Sequence, residues 1–109
     1  MEWNLTEADD GAALEAAPGD ALVVRLNENP TTGFRWSLDG PEGDVVTLGT
    51  DEFERSEGAG VGGGGKRILT FSALRPGSAD IGLTLRRRWE GDDSALERVR
   101  LSVRLVADR

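Results

Sequence analysis

The sequence predicts an all-β sandwich of about seven to eight short antiparallel strands, and three observations carry that expectation. Apolar and polar residues alternate at a period of two in several runs, the pattern of a strand with one buried face. Turn signals separate those runs at short intervals. No stretch carries the apolar stripe of an amphipathic helix, so helical alternatives have little to bury. Seven or more short strands at this spacing argue for two packed sheets.

Along the chain, Trp3 to Thr6 is the first strand candidate. Ala13 to Ala16 is a second, lying within an Ala-rich segment, Asp9 to Ala17, that Gly11 and Pro18 confine to an edge strand or loop. Leu22, Val24 and Leu26 alternate with Val23 and Arg25, and Phe34, Trp36 and Leu38 alternate with Arg35 and Ser37, which reads as a pair of strands across an irregular connection. Val45 to Phe53 and Arg67 to Leu74 follow. Ala79, Ile81, Leu83 and Leu85, and then Val99, Leu101, Val103 and Leu105, form the clearest alternation and read as a long antiparallel hairpin. Turns fall at Pro18-Gly19-Asp20, Gly40-Pro41-Glu42-Gly43 and Arg75-Pro76-Gly77-Ser78. The expected core contains Leu22, Val24, Trp36, Phe71, Leu83, Leu101 and Val103.

The chain has 109 residues, 38% of them hydrophobic and 30% charged, enough apolar material for one modest core. It reads as a single domain over residues 1–109, because the glycine-rich stretch Gly58 to Gly65 lies between two strand candidates rather than between two cores. Thirteen basic against twenty acidic residues leave a formal charge of −7, a field that repels phosphate backbones and anionic headgroups, so neither nucleic acid nor membrane is an expected partner. Met1-Glu2-Trp3-Asn4 lacks the basic start and apolar stretch of a signal peptide. The expected compartment is the cytoplasm for the chain as written, and the periplasm or the extracellular space if a longer chain was trimmed.

The missing residue types restrict the chemistry. Without His, Cys or Tyr the chain builds no Ser-His-Asp triad, no thiol nucleophile and no ordinary zinc site, so no metal, no cofactor and no enzymatic activity are expected. Asp9-Asp10, Asp51-Glu52 and Asp92-Asp93 read as solvated charge pairs rather than acid/base dyads. Gly60 to Lys66 imitates the start of a phosphate-binding loop, but Arg67 follows the lysine where Ser or Thr is needed and a strand follows where a helix is needed. The glycines leave a bare backbone, able to wander or to lie flat against another chain.

The segment Asn29-Pro30-Thr31-Thr32-Gly33-Phe34 is the most specific feature. Pro30 fixes one dihedral angle, Asn29 can bond its own backbone, and Gly33 supplies a positive φ, giving a stiff, narrow wedge of small residues. Trp36, in step with Phe34 and Leu38, belongs to the core. Trp89 follows three arginines and precedes Glu90-Gly91-Asp92-Asp93, a setting without apolar neighbours that suits a binding residue.

The hexamer 29–34, followed by Trp36, resembles the hallmark loop of the chagasin-like inhibitors of cysteine proteases. That family also carries a Gly-rich loop at mid-chain and an Arg-Pro-Trp motif in a late hairpin, and Gly58 to Gly65 and Arg87-Arg88-Trp89 stand in those places and that order. The departure is Arg88, which occupies the family's proline position and leaves the tryptophan in register on a less rigid loop. The resemblance implies an immunoglobulin-like β-sandwich that reversibly inhibits papain-like cysteine proteases by filling the active-site cleft with three loops, 27–34, 56–66 and 86–94; separately from the resemblance, the chain is expected to be a monomer when free. Its protease-binding residues would be Asn29, Pro30, Thr31, Thr32, Gly33, Phe34, Gly62, Gly63, Gly64, Arg87, Arg88 and Trp89. Thr31 and Thr32 would cover the catalytic cysteine and histidine, with Trp89 stacking on an aromatic surface and the glycine backbone pairing with a substrate-binding strand. The alternatives are a β-sandwich interaction module with a non-protease partner and, ranked below it, a carbohydrate-binding module using Trp89 and Trp3 as platforms.

Overall fold

The structure, a computed structural model, describes residues 1–40, 44–55, 64–87 and 95–107. The alternating runs become strands β1 (Glu2–Leu5), β2 (Ala13–Ala16), β3 (Ala21–Glu28), β4 (Phe34–Gly40), β5 (Val46–Arg55), β6 (Gly65–Ala73), β7 (Gly77–Arg87) and β8 (Glu97–Leu105). They form two four-stranded sheets, ordered β1-β3-β6-β5 and β2-β8-β7-β4. Every residue expected in the core is buried, and Leu22, Val24, Phe71 and Leu101 are fully enclosed between the sheets. The hairpin of β7 and β8 pairs antiparallel from Gly77↔Leu105 to Leu85↔Glu97.

Two details depart from the sequence expectation. Two pairings are parallel, β1 with β3 and β2 with β8, because the chain crosses from one sheet to the other between short edge strands and never turns back on itself in a hairpin there. Strands β3 and β4 do not pair with each other. They sit in different sheets, β3 against β6 and β4 against β7, so the connection between them bridges the sandwich. The Ala-rich segment holds edge strand β2, as expected, and a 3-10 turn over Glu7–Asp9 precedes it.

The acidic pairs are structural where they are described. Asp9 accepts the Thr6 N–H at 2.8 Å in a capping box, and Asp10 accepts the Arg100 N–H at 2.8 Å. Asp20 gathers the amino terminus, accepting from the Met1 amine at 3.1 Å, the Trp3 indole at 3.1 Å and the Ala17 N–H at 3.0 Å. The Ala17 backbone donor, then the Trp3 indole, hold its carboxyl down at about 2. Trp3 is thus half-buried against the core with its polar atom engaged, which removes it as an exposed stacking platform.

Candidate functional site

Strand register brings three connections to one end of the sandwich. Gly65 opposes both Glu28 and Arg55 in the first sheet, so the connection after β3 and the one between β5 and β6 leave from the same edge. In the second sheet Phe34 opposes Arg87, which places the start of β4 and the end of β7 together. The connection 29–33 between β3 and β4 is only five residues long, so both groups of strand ends share one end of the molecule.

The middle connection is stiffened by its own polar groups. The Asn29 carboxamide oxygen accepts from the Thr31 N–H at 3.1 Å and from its hydroxyl at 2.7 Å, an Asx turn that closes the segment locally. The Thr32 hydroxyl donates to the Asn29 carbonyl at 2.8 Å and accepts the Phe34 N–H at 3.2 Å. Pro30–Thr32 form a single 3-10 turn, and Gly33 leaves it at φ 81°, a left-handed conformation that costs a side-chain-bearing residue about 1 kcal/mol or more. The outcome is a short turn with Thr31 and Thr32 exposed at the tip and Asn29 and Phe34 half-buried at the base.

Beneath the turn the apolar core gives way to charge. Along β3 the inward face reads Leu22, Val24, Leu26 and then Glu28, whose side chain is fully buried. One Glu28 carboxylate oxygen accepts the Trp36 N–H at 2.8 Å, and the other accepts from Arg67 Nε at 3.1 Å and Nη2 at 2.7 Å. A single carboxylate thereby ties β3, β4 and β6 together across both sheets. The Trp36 indole adds a second clamp, donating to the Asn27 carbonyl at 2.8 Å. Arg67 is 12% exposed and also reaches Asp51 at 3.2 Å. Burial works against its charge, but Glu28 and then Asp51 outweigh burial and hold its pKa above the ordinary value. On the second sheet the Arg87 guanidinium lies 4.5 Å from the Phe34 ring centre, a cation–π contact between cross-strand partners.

Glycine is required where the glycine-rich connection meets the sheet. A Cβ at Gly65 would collide with the Glu54 carbonyl and the Phe53 ring, and one at Gly64 would sit 3.1 Å from the Glu28 carbonyl. Between the tip and the ends of the other two connections lies an open groove of about 650 Å³ bordered by Asn29, Thr32, Phe34, Gly64, Arg87 and Leu96. Of the expected contact residues, Asn29 to Phe34, Gly64 and Arg87 are therefore brought together at one end, while Gly62, Gly63, Arg88 and Trp89 lie outside the described residues. Sequence reasoning missed Glu28, Arg67 and the 65% exposed Leu96. The first two carried a signal, since each continues at a period of two the inward face of its own strand, after Leu26 and before Leu69.

A β-sandwich presenting a rigid small-residue turn between two flanking connections belongs to the class of loop-presenting binding domains. Residues 15–103 match the model of the chagasin family of peptidase inhibitors, and the chain belongs to that family. It is 30% identical to chagasin of Trypanosoma cruzi over 103 residues, covering 90% of this chain and 93% of that one. With amoebiasin-2 of Entamoeba histolytica it shares 31% identity over 101 residues, 91% of this chain and 81% of the relative. The crystal structure of a cysteine protease inhibitor from Entamoeba histolytica superposes with a TM-score of 0.86 at 28% identity, covering 96% of each chain. The solution structure of amebosin gives 0.80 at 27% identity over 97% of this chain and 99% of that one.

Proposed function

We propose that this chain is a non-enzymatic, reversible inhibitor of papain-like cysteine proteases and that its loop end is the inhibitory surface. The observation that carries the reading is the exposed Thr31-Thr32 tip, held by the Asn29 network and flanked by the other two connections. A narrow tip of small residues enters a substrate cleft without steric conflict, and a turn closed on itself by hydrogen bonds presents no extended peptide bond for attack. Its order before binding lowers the entropic cost of association. A relative of known fold is described in complex with falcipain-2, which fits a protease partner. Thr31 and Thr32 cover the catalytic cysteine and histidine in this reading. The glycine backbone at 62–64 pairs with one wall of the cleft, and Trp89, beside Arg87 and Arg88, packs against the other.

The test is inhibition of papain by the purified chain, with a serine protease as control. Reversible, stoichiometric inhibition of papain alone supports the proposal. Equal inhibition of both enzymes, or of neither, or cleavage of the chain at 29–34 during assay, refutes it.

A further inference from the structure

The apolar interior of the sandwich is open at its loop end. Leu85 on β7 and Phe34 on β4 are only half-buried there, and with Leu96 they form the apolar part of the lining of the groove of about 650 Å³ beside the tip. Leu96 is the anomaly among them. It stands just before β8, out of step with the inward run Val99, Leu101, Val103 and Leu105, on the register that the strand otherwise gives to Arg98 and Arg100. Its side chain is 65% exposed, so the core gains little from it. Its N–H donates to the Leu85 carbonyl at 2.8 Å, which fixes the backbone at the rim of the groove whatever the side chain. Among the described residues the exposed large apolar side chains are Met1, Leu74 and Leu96, and of these Leu96 alone borders this groove. The charged groups of the lining carry both signs. Arg87 lies over the Phe34 ring, Glu97 stands opposite Leu85 across the β7–β8 pair, and Glu28 is held by Arg67, so no net charge selects an ionic occupant.

We propose that Leu96 is a specificity-determining contact, which with Phe34 and Leu85 receives one apolar side chain projecting from the protease beside its catalytic centre. The inference rests on the loop end being the inhibitory surface. The groove begins at Asn29 and Thr32, the base and side of the tip, so once the tip enters the cleft, the cleft wall next to the reacting groups faces the groove. An apolar knob on that wall removes Leu96, Phe34 and Leu85 from water together with itself. A charged side chain in the same place would lose its water against an apolar floor. The groove therefore discriminates among papain-like proteases by the polarity of one wall residue, where the small tip residues Thr31 and Thr32 discriminate little.

The experiment measures the inhibition constant for papain of wild type, Leu96→Ser and Leu96→Met, each with a thermal melt. Leu74→Ser is the control, since Leu74 is also exposed but lies between β6 and β7 at the opposite end of the sandwich. Leu96→Ser should weaken inhibition about tenfold at an unchanged melting temperature, because an apolar side chain buried on binding is lost. Leu96→Met, which keeps the apolar volume, should inhibit within about threefold of wild type, and Leu74→Ser should inhibit as wild type does. In the complex of the isotope-labelled chain with papain, filtered NOEs from the Leu96 methyls should reach aliphatic or aromatic side-chain protons of the protease. Where wild type inhibits papain, four results overturn this inference and leave the loop-end reading standing: equal inhibition by Leu96→Ser, an equal loss in Leu74→Ser, Leu96→Met no better than Leu96→Ser, or no NOE from the Leu96 methyls to the protease. Failure of wild type to inhibit papain overturns both.

Discussion

Glu28 is a buried carboxylate whose three described hydrogen bonds come from two strands in different sheets, so the position of the turn above it depends on one ionised group. Removing its partner leaves that charge enclosed and unpaired. Arg67→Met is therefore expected to cost about 3–5 kcal/mol of folding stability, read by urea denaturation. Glu28→Gln/Arg67→Met should recover a substantial part of that loss, because the unpaired charge is then gone. A loss under about 1 kcal/mol for the single variant would mean that the pair is not holding the sheets together. Asp20 makes a separate prediction through pH. Its folded pKa of about 2 lies below the ordinary 3.8, so its ionised contacts contribute stability above the unfolded value. That contribution disappears as pH falls through the folded value. The stability difference between wild type and Asp20→Asn should be constant near neutrality and shrink from about pH 4 towards pH 2; a gap that widens on acidification would contradict the assignment.

The connection 29–33 does its work as a unit: an Asx turn, one 3-10 turn and a glycine at φ 81°. Gly33→Ala should lower stability by about 1 kcal/mol, seen as a fall of a few degrees in the thermal midpoint. It should weaken inhibition by more than the stability loss explains, because the tip threonines are displaced. Unchanged inhibition would show that tip geometry is not what the partner reads. The stiffness of this segment was legible from Pro30, Asn29 and Gly33, each of which restricts the backbone locally. The strands were equally legible, since Val99 to Leu105 can bury only one face. What escaped the sequence were relations set by sheet assembly. The parallel edges of β1 and β2 depend on where the chain crosses between sheets, and short edge strands carry the same alternation in either direction. Glu28 and Arg67 were obscured by the habit of reading charge as surface, although both stand on inward-facing positions.

At the scale of the molecule, the inhibitory surface proposed here is formed by three connections at one end of the sandwich, with 29–33 at its centre. Trp89→Ala should cost about 2–4 kcal/mol of binding, mostly through faster dissociation, with folding stability unchanged. Arg88→Pro should tighten binding modestly by ordering the tryptophan before contact, provided the arginine itself makes no contact with the protease. The most direct measurement of the central claim is the inhibition constant for papain of wild type against Thr31→Glu/Thr32→Glu, with thermal melts as the folding control. Carboxylates forced into a desolvated cleft should weaken inhibition by roughly a hundredfold or more, at an unchanged melting temperature. Equal inhibition by the folded double variant would contradict the claim that this turn enters the cleft.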